Sequence, residues 1–224
     1  MQVTARVENR IARALKQAFP SLGKKAIIFF GLLLAQSAFS QYHHLAPRSA
    51  SYTKFFFTQG VQGEKAQMTV YSPETGMPST ETWKGKGYKT SIGLEMMKFF
   101  HIGASHTFFD LQRQSSALAI FKGSRISIET FLVFQSPILN LSLGGGVMSS
   151  SGDHYELGKS SDVNGFGHFG ALKASRYFSR HISAGLSFEQ TSASYSFSSG
   201  ALKDMRGAPK SVGGNIGAFV QFWH

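Results

Sequence analysis

Three acids recur in one kind of setting. Glu95 closes the run "YKTSIGLE", Glu129 sits in "RISIETF" and Glu189 in "HISAGLSFE". Each shares its alternation phase with Ser, Gly or Thr, while the opposite phase is apolar. Lys54, Lys89 and Lys173 lie in comparable runs, with Arg176 as a further cation, although the phase of the run holding Lys173 and Arg176 is ambiguous. A carboxylate on the polar face of a sheet can do acid–base work when its surroundings shift its proton affinity. In a low-dielectric interior it must also be paired and hydrogen-bonded. The residue types therefore read first as a polar network of Glu95, Glu129, Glu189, Lys89, Lys54 and Lys173 that fills an interior. A gated polar pore and catalytic carboxylates are the alternatives.

"HISAG" offers a second chemistry. His181 can activate the Ser183 hydroxyl, and Glu189 can orient the imidazole. Alternation, however, puts His181 and Ser183 on one inward face beside a short turn, so a turn-flanking histidine is the better reading and no catalytic residue is expected. His154 lies in "SGDHYELGKSSD" with Asp153, Glu156 and Asp162, without the ordered ligand spacing of a calcium loop. His43 and His44 are adjacent but have no further ligands beside them. The chain has no Cys, which excludes disulfides, thiolate metal sites and a lipid-modified N-terminal cysteine. "LGGGVM" belongs to a strand pattern, not to a phosphate-binding loop. Neither a metal nor a cofactor is expected.

The elements that must hold these residues alternate with period two, the strand signal. In Arg125–Phe134, residues Ile126, Ile128, Thr130, Leu132 and Phe134 share one face, and Ser127, Glu129 and Phe131 the other. The pattern recurs in "SYTKFFFTQ", "YKTSIGLEMM", "IGASHTFF", "ILNLSLGGGV", "GHFGALKASRYF", "HISAGLSFEQ" and "SVGGNIGAFVQFW". Eight antiparallel strands follow. Tight turns are expected near 98–100, 136–137 and 179–180. Long polar connections are expected over 60–83, 112–123, 149–163 and 194–210. Strict alternation of short and long connections is the plan of a bacterial outer-membrane barrel.

Upstream, Lys24 and Lys25 precede a nine-residue apolar run, Ala26–Leu34, with Ala38 and Ser40 at small-residue positions. This is a signal peptide cut near 40/41; the run is too short for a spanning helix, which needs about 20 residues. Residues 1–40 are thus an N-terminal extension with a signal peptide, and 41–224 the barrel. The chain carries 23 basic and 12 acidic side chains. Six of the basic residues lie before residue 41, and the remainder form no run or stripe, so nucleic acid is not an expected partner.

Alternation alone does not say which face looks inward. The polar face holds mostly Gly, Ser, Thr and Asn with about one acid in several strands. A water-facing surface carries many more charges, whereas a narrow lumen has room for small residues and a few paired ones. The reading is all-β: an eight-stranded antiparallel transmembrane β-barrel preceded by a signal peptide. A soluble lipocalin-like barrel, with the apolar face inside, is the alternative.

From about Ser51 to His224 the chain resembles the small outer-membrane barrels of Gram-negative bacteria, the outer-membrane protein A, X and W groups. The most specific stretch is "GNIGAFVQFWH", where Ile216, Ala218, Val220 and Phe222 keep one phase, Trp223 has the opposite phase, and His224 stands where a terminal aromatic is usual. The resemblance implies an integral protein of the cell outer membrane whose last strand is read by the barrel assembly machinery. Tyr52, Trp83, Tyr88 and Tyr177, near strand ends, are expected in the interfacial aromatic girdles. A monomer is expected, since closure leaves no free sheet edge. The expected role is structural or interactive, with four long loops meeting lipopolysaccharide, a ligand or another cell surface. A narrow conduit for small apolar molecules, as in protein W relatives, is the first alternative. A lipid-modifying enzyme is the second, since "HISAG" resembles the His-x-Ser arrangement of lipid A deacylases.

Overall fold

The computed structural model describes residues 53–71, 77–96, 99–116, 118–136, 139–156, 158–199 and 209–224. Residues 1–40, Gln41 and Tyr52, which carry the leader and one expected girdle aromatic, lie outside the described residues. Eight strands run in chain order: β1 (Thr53–Tyr71), β2 (Pro78–Met96), β3 (Phe100–Arg113), β4 (Ile120–Gln135), β5 (Asn140–Glu156), β6 (Lys159–Tyr177), β7 (Ile182–Phe197) and β8 (Lys210–Trp223). Each pairs antiparallel with the next, and β1 pairs with β8 from Phe56↔Trp223 to Thr69↔Lys210, so the sheet closes into a barrel. His224 continues this seam, exchanging backbone hydrogen bonds with Phe55 in both directions at 3.0 and 3.3 Å.

Along the lipid-facing belt the barrel is apolar outside, and its acids lie inside. Ile92, Ile128, Phe134 and Phe166 are about 60% exposed or more, whereas Glu95, Glu129 and Glu189 are buried. A water-soluble barrel would have the reverse arrangement, so the lipocalin-like alternative does not describe this chain. A lipid core offers no partners to backbone amides, and a closed sheet satisfies all of them across its own strands.

One rim carries both barrel ends and the three tight connections 97–99, 136–139 and 178–181. The opposite rim differs from the long loops read in the sequence. There the connections are 72–77, 114–119, 157–158 and 198–209, and only the last is long. Most of the expected loop residues continue the ladder, for instance Gly60–Tyr71 against Pro78–Lys89. The outward residues of these stretches are mostly polar or small once they have left lipid, so the apolar period that marks a strand fades while the hydrogen bonding does not. Strands of 14 to 19 residues result, against the roughly 10 that cross a bilayer. Gly158, at φ +78°, supplies the left-handed residue of the two-residue β5–β6 connection.

Inward glycines set the space for large neighbours. Gly144 faces Phe131 across the β4–β5 ladder, and a Cβ there would lie 1.9 Å from the Thr130 carbonyl oxygen and 2.8 Å from the Phe131 ring. Gly144→Val is therefore expected to destabilise the barrel by about 2 kcal/mol or more. Gly170→Val, whose nearest neighbour atom is 4.0 Å away, should stay within about 0.5 kcal/mol of the parent. Urea titration of the protein folded in lipid vesicles, read by heat-sensitive gel mobility, checks both.

Candidate functional site

The lumen gathers the chemistry-bearing side chains into successive layers. At the rim with the tight turns, inward-pointing Trp223 packs against Phe56, His101 and Tyr177, with centroids 5.8, 5.5 and 5.9 Å away. Its indole N–H donates to Ser183 Oγ at 3.1 Å. Glu95 Oε2 accepts from Gln135 at 3.2 Å and lies 3.0 Å from His101 Nε2. Lys54, also buried, is the direct cross-strand neighbour of Glu95.

In the middle of the barrel, Glu129 is 1% exposed. Lys89 Nζ lies 3.0 Å from its Oε2, and Lys173 Nζ donates to its Oε1 at 3.3 Å. Lys89 also donates to Glu189 Oε1 at 2.6 Å. Two cations and two anions thus form one neutral cluster, and the lysines also sit over aromatic rings: Lys173 is 3.9 Å from the Phe131 centroid and Lys89 5.1 Å from that of Phe169. Such pairing is the condition on which buried charge is tolerated. A small void with room for about one water molecule adjoins it, lined by Thr58, Gln62, Ser91, Lys89, Lys173 and Glu189 among others.

Further along the axis, Glu64 accepts from Arg125 at 3.3 Å and from Gln62 at 2.7 Å, and Arg125 lies over the Phe109 ring at 5.3 Å. An apolar plug follows, with Met68, Leu111, Phe109, Phe121, Met148, Val163 and Tyr195 in one buried cluster. The Phe109–Phe121 and Phe121–Tyr195 contacts are edge-to-face at 5.1 and 5.7 Å. At the far rim Trp83 meets His154 edge-on at 5.5 Å, and Arg113 bridges Glu81, at 2.8 Å, and Glu156.

The network named from sequence is therefore split between two levels. Lys89, Lys173, Glu129 and Glu189 meet in the centre; Glu95 and Lys54 lie near the tight turns. Lys173 has the inward phase and Arg176 the opposite one. Sequence reasoning missed Arg125, Glu64, Arg113, Glu81, Glu156 and the aromatic plug. Arg125 has the same phase as Glu129 four residues later, and that parity could have found it. Glu64, Glu81 and Glu156 fell in stretches read as loops, where phase was not followed.

Two of the expected girdle aromatics are corrected. Trp83 is 1% exposed and points into the lumen. Tyr177 also points inward, beneath Trp223. Both share the odd-numbered inward phase of their strands, with Lys89 and Lys173, which outweighs their nearness to a strand end. Tyr88 is exposed on the outer face. On β8, Ile216, Ala218, Val220 and Phe222 face outward. His181 Nδ1 lies 3.2 Å from the Trp223 carbonyl oxygen, and Ser183 is fully buried under the Trp223 indole. Among the described residues no group of three His, Asp or Glu is arranged to hold a metal.

No protein-family model matches the sequence, and no characterised protein matches it in sequence. The fold, in contrast, is that of solved outer-membrane barrels. Neisserial surface protein A is 13% identical at TM-score 0.50, over 75% of this chain and 96% of that one. The N-terminal barrel of Pseudomonas aeruginosa OprF (13%, TM-score 0.45, 74% and 97%) and P. aeruginosa OprG (10%, 0.48, 81% and 97%) are further matches. With the apolar exterior, this makes the chain an integral eight-stranded β-barrel of the outer-membrane type. In barrels of this type short turns lie at the periplasmic rim and the longer connections at the outer rim.

The central cluster and the rim differ in what pairing contributes. Glu129→Ala leaves Lys173 buried without its carboxylate and Lys89 with Glu189 alone, and is expected to cost about 3–5 kcal/mol. Glu81→Ala, at the more open outer rim, should cost about 1 kcal/mol or less. Parallel urea titrations in vesicles measure the contrast.

Proposed function

We propose that the protein is a non-enzymatic, non-conducting surface barrel: a rigid pedestal that anchors in the outer membrane and presents its prolonged rim to the outside. The filled lumen carries this reading. From the Trp223 layer through the Lys89–Glu129–Lys173 cluster, the Glu64–Arg125 pair and the Phe109–Phe121–Tyr195 plug, every level holds packed side chains. Eight strands leave just enough room for such filling.

Continuation of the ladder past the lipid belt supports an interactive role. Hydrogen-bonded strands hold the rim at far lower conformational cost than free loops of equal length. What they present is Ser, Asn, Lys and Asp, together with the 198–209 connection. The buried Ser183, accepting from the Trp223 indole, supports a structural role for "HISAG" in place of a nucleophilic one. The outward Ile216, Ala218, Val220 and Phe222 suit a terminal strand handled by assembly machinery, and the closed seam suits a monomer.

Purified protein in planar bilayers is expected to give no steady conductance under conditions in which a general porin conducts. A reproducible, ohmic single-channel current from the parent protein would move the reading to a conduit.

A further inference from the structure

On β1 and β2 the outward apolar belt ends at Val61 and Tyr88. Beyond it toward the outer rim, the outward positions are Gly63 and Lys65 on β1, and Lys86 and Lys84 on β2. Lys65 and Lys84 are direct cross-strand partners, and Lys86 stands opposite Gly63. All three lysines are exposed. Neither strand puts an acid on this outer face. Among the described residues, the carboxylate nearby on this face is Asp110 of β3, across from Lys86, and it is engaged by Lys122 of β4 at 3.6 Å.

Like charges directly opposite in a ladder are destabilising. A pair kept in that position next to a third lysine is compensated when an anion lies among them. The surface beside them is also hollow. Gly63 and Gly214 both face outward, and Gly214 is the β8 partner of Lys65. A Cβ would meet nothing within 4 Å at Gly214, and its nearest contact at Gly63 would be 3.9 Å away. The two glycines leave a shallow depression bordered by ammonium groups.

We propose that Lys65, Lys84 and Lys86 form a clamp for the phosphorylated headgroup of an outer-leaflet glycolipid, whose sugar lies over Gly63 and Gly214. Height selects this occupant. At about 3.3 Å per residue on strands tilted by about 40°, Lys86 stands about 5 Å beyond Tyr88, and Lys84 about 10 Å. Long lysine side chains reach phosphate from that level while their stems cover the apolar boundary. The opposite wall carries two acids in that arrangement: Asp153 and Asp162 face each other across β5–β6, with Lys122 on the far side of Asp153. There Tyr155 donates to Asp153, and Ser199 to Asp162. A non-selective lipid collar would not be one-sided. The inference rests on the surface-barrel reading and assigns it a lipid partner.

The test uses the folded full-length barrel in neutral detergent, titrated with lipid A, with dephosphorylated lipid A, and with inorganic pyrophosphate as a lipid-free source of the same anion. Native mass spectrometry counts bound molecules. Lys65→Gln/Lys84→Gln/Lys86→Gln is compared with Lys159→Gln/Lys210→Gln, which removes positive charge from the rim outside the clamp. The clamp variant is expected to bind lipid A about 30-fold more weakly than the parent, and the control variant within about threefold. Replacement of the three lysines by Arg retains binding, and dephosphorylated lipid A binds as weakly to the parent as lipid A does to the clamp variant. Equal losses in both Gln sets, undiminished binding without phosphates, or pyrophosphate binding as tightly as lipid A would each overturn the proposal. So would cross-linked oligomers that vanish in the clamp variant while lipid A binding persists, since the occupant would then be a second copy. The single change Lys84→Gln gives an independent readout: stability unchanged or raised in detergent alone, and lowered relative to the parent once lipid A is added. The same effect in both media would also overturn it. Failure of the underlying reading shows elsewhere, as parent protein whose gel mobility does not shift on heating or which conducts steadily.

Discussion

Closure of β1 onto β8 is the constraint on which the rest of this structure depends. Inside a bilayer an unpaired backbone amide costs several kcal/mol, and an open sheet would expose two full edges. Pairing Phe56 with Trp223 and on up to Thr69 with Lys210 removes both. Once the sheet is closed, strand alternation divides all side chains between lipid and a narrow lumen, and the eight-strand circumference fixes how much that lumen can hold. The apolar belt, the many small inward residues and the buried acids all follow from that division.

The same constraint explains why the interior charges come in groups. Glu129 alone would be untenable at 1% exposure. With Lys89 and Lys173 on either side, and Glu189 sharing Lys89, the cluster is neutral. The pattern repeats at Glu64–Arg125 and at Glu81–Arg113–Glu156. Each inward cation that finds a ring beneath it, as Lys173 does over Phe131, gains a second anchor beyond its carboxylate. Ionic and aromatic layers therefore brace one another, and the barrel is filled by contacts that fix strand positions as well as by volume.

Much of this was legible because lipid makes one strand phase uniformly apolar. Ile126, Ile128, Leu132 and Phe134 announce β4 without any other information, and the eight such runs gave the strand count and the closed architecture. Legibility ended where lipid does. Beyond Val61 and Tyr88 the outward phase is polar or small, so "GEKAQMT" and "STETWKGKG" read as loop although they form a continuous ladder. The miss at Trp83 has the same origin: a tryptophan near a supposed strand end resembles a girdle residue. Glu95, Lys89 and Trp83 nevertheless share one parity, and following it would have placed the ring inside. Tyr177 was hidden differently, because "GALKASR" offers small residues in both phases and leaves the inward one unmarked. Which of the buried charges pair with which was beyond the sequence, since partners such as Lys89 and Glu189 are 100 residues apart and meet only through closure.

Prolonging the ladder beyond lipid also changes what the outer surface can be. A loop rearranges to separate like charges, whereas a paired strand holds them at fixed cross-strand spacing. Lys65 beside Lys84 on one wall and Asp153 beside Asp162 on the other are therefore built into the sheet. In open solvent each pair would be a modest liability, screened over about 8 Å by physiological salt. Beside a membrane surface the two walls cease to be equivalent, because anionic headgroups relieve one pair and aggravate the other. The barrel then has a lipid-preferring side and a lipid-averse side. That one-sidedness arises from register alone: a slip of one residue between β1 and β2 would turn Lys65 away from Lys84 and carry the inward charges out into lipid. The constraint that closes the lumen thus also fixes the charge pattern that the protein shows to its membrane.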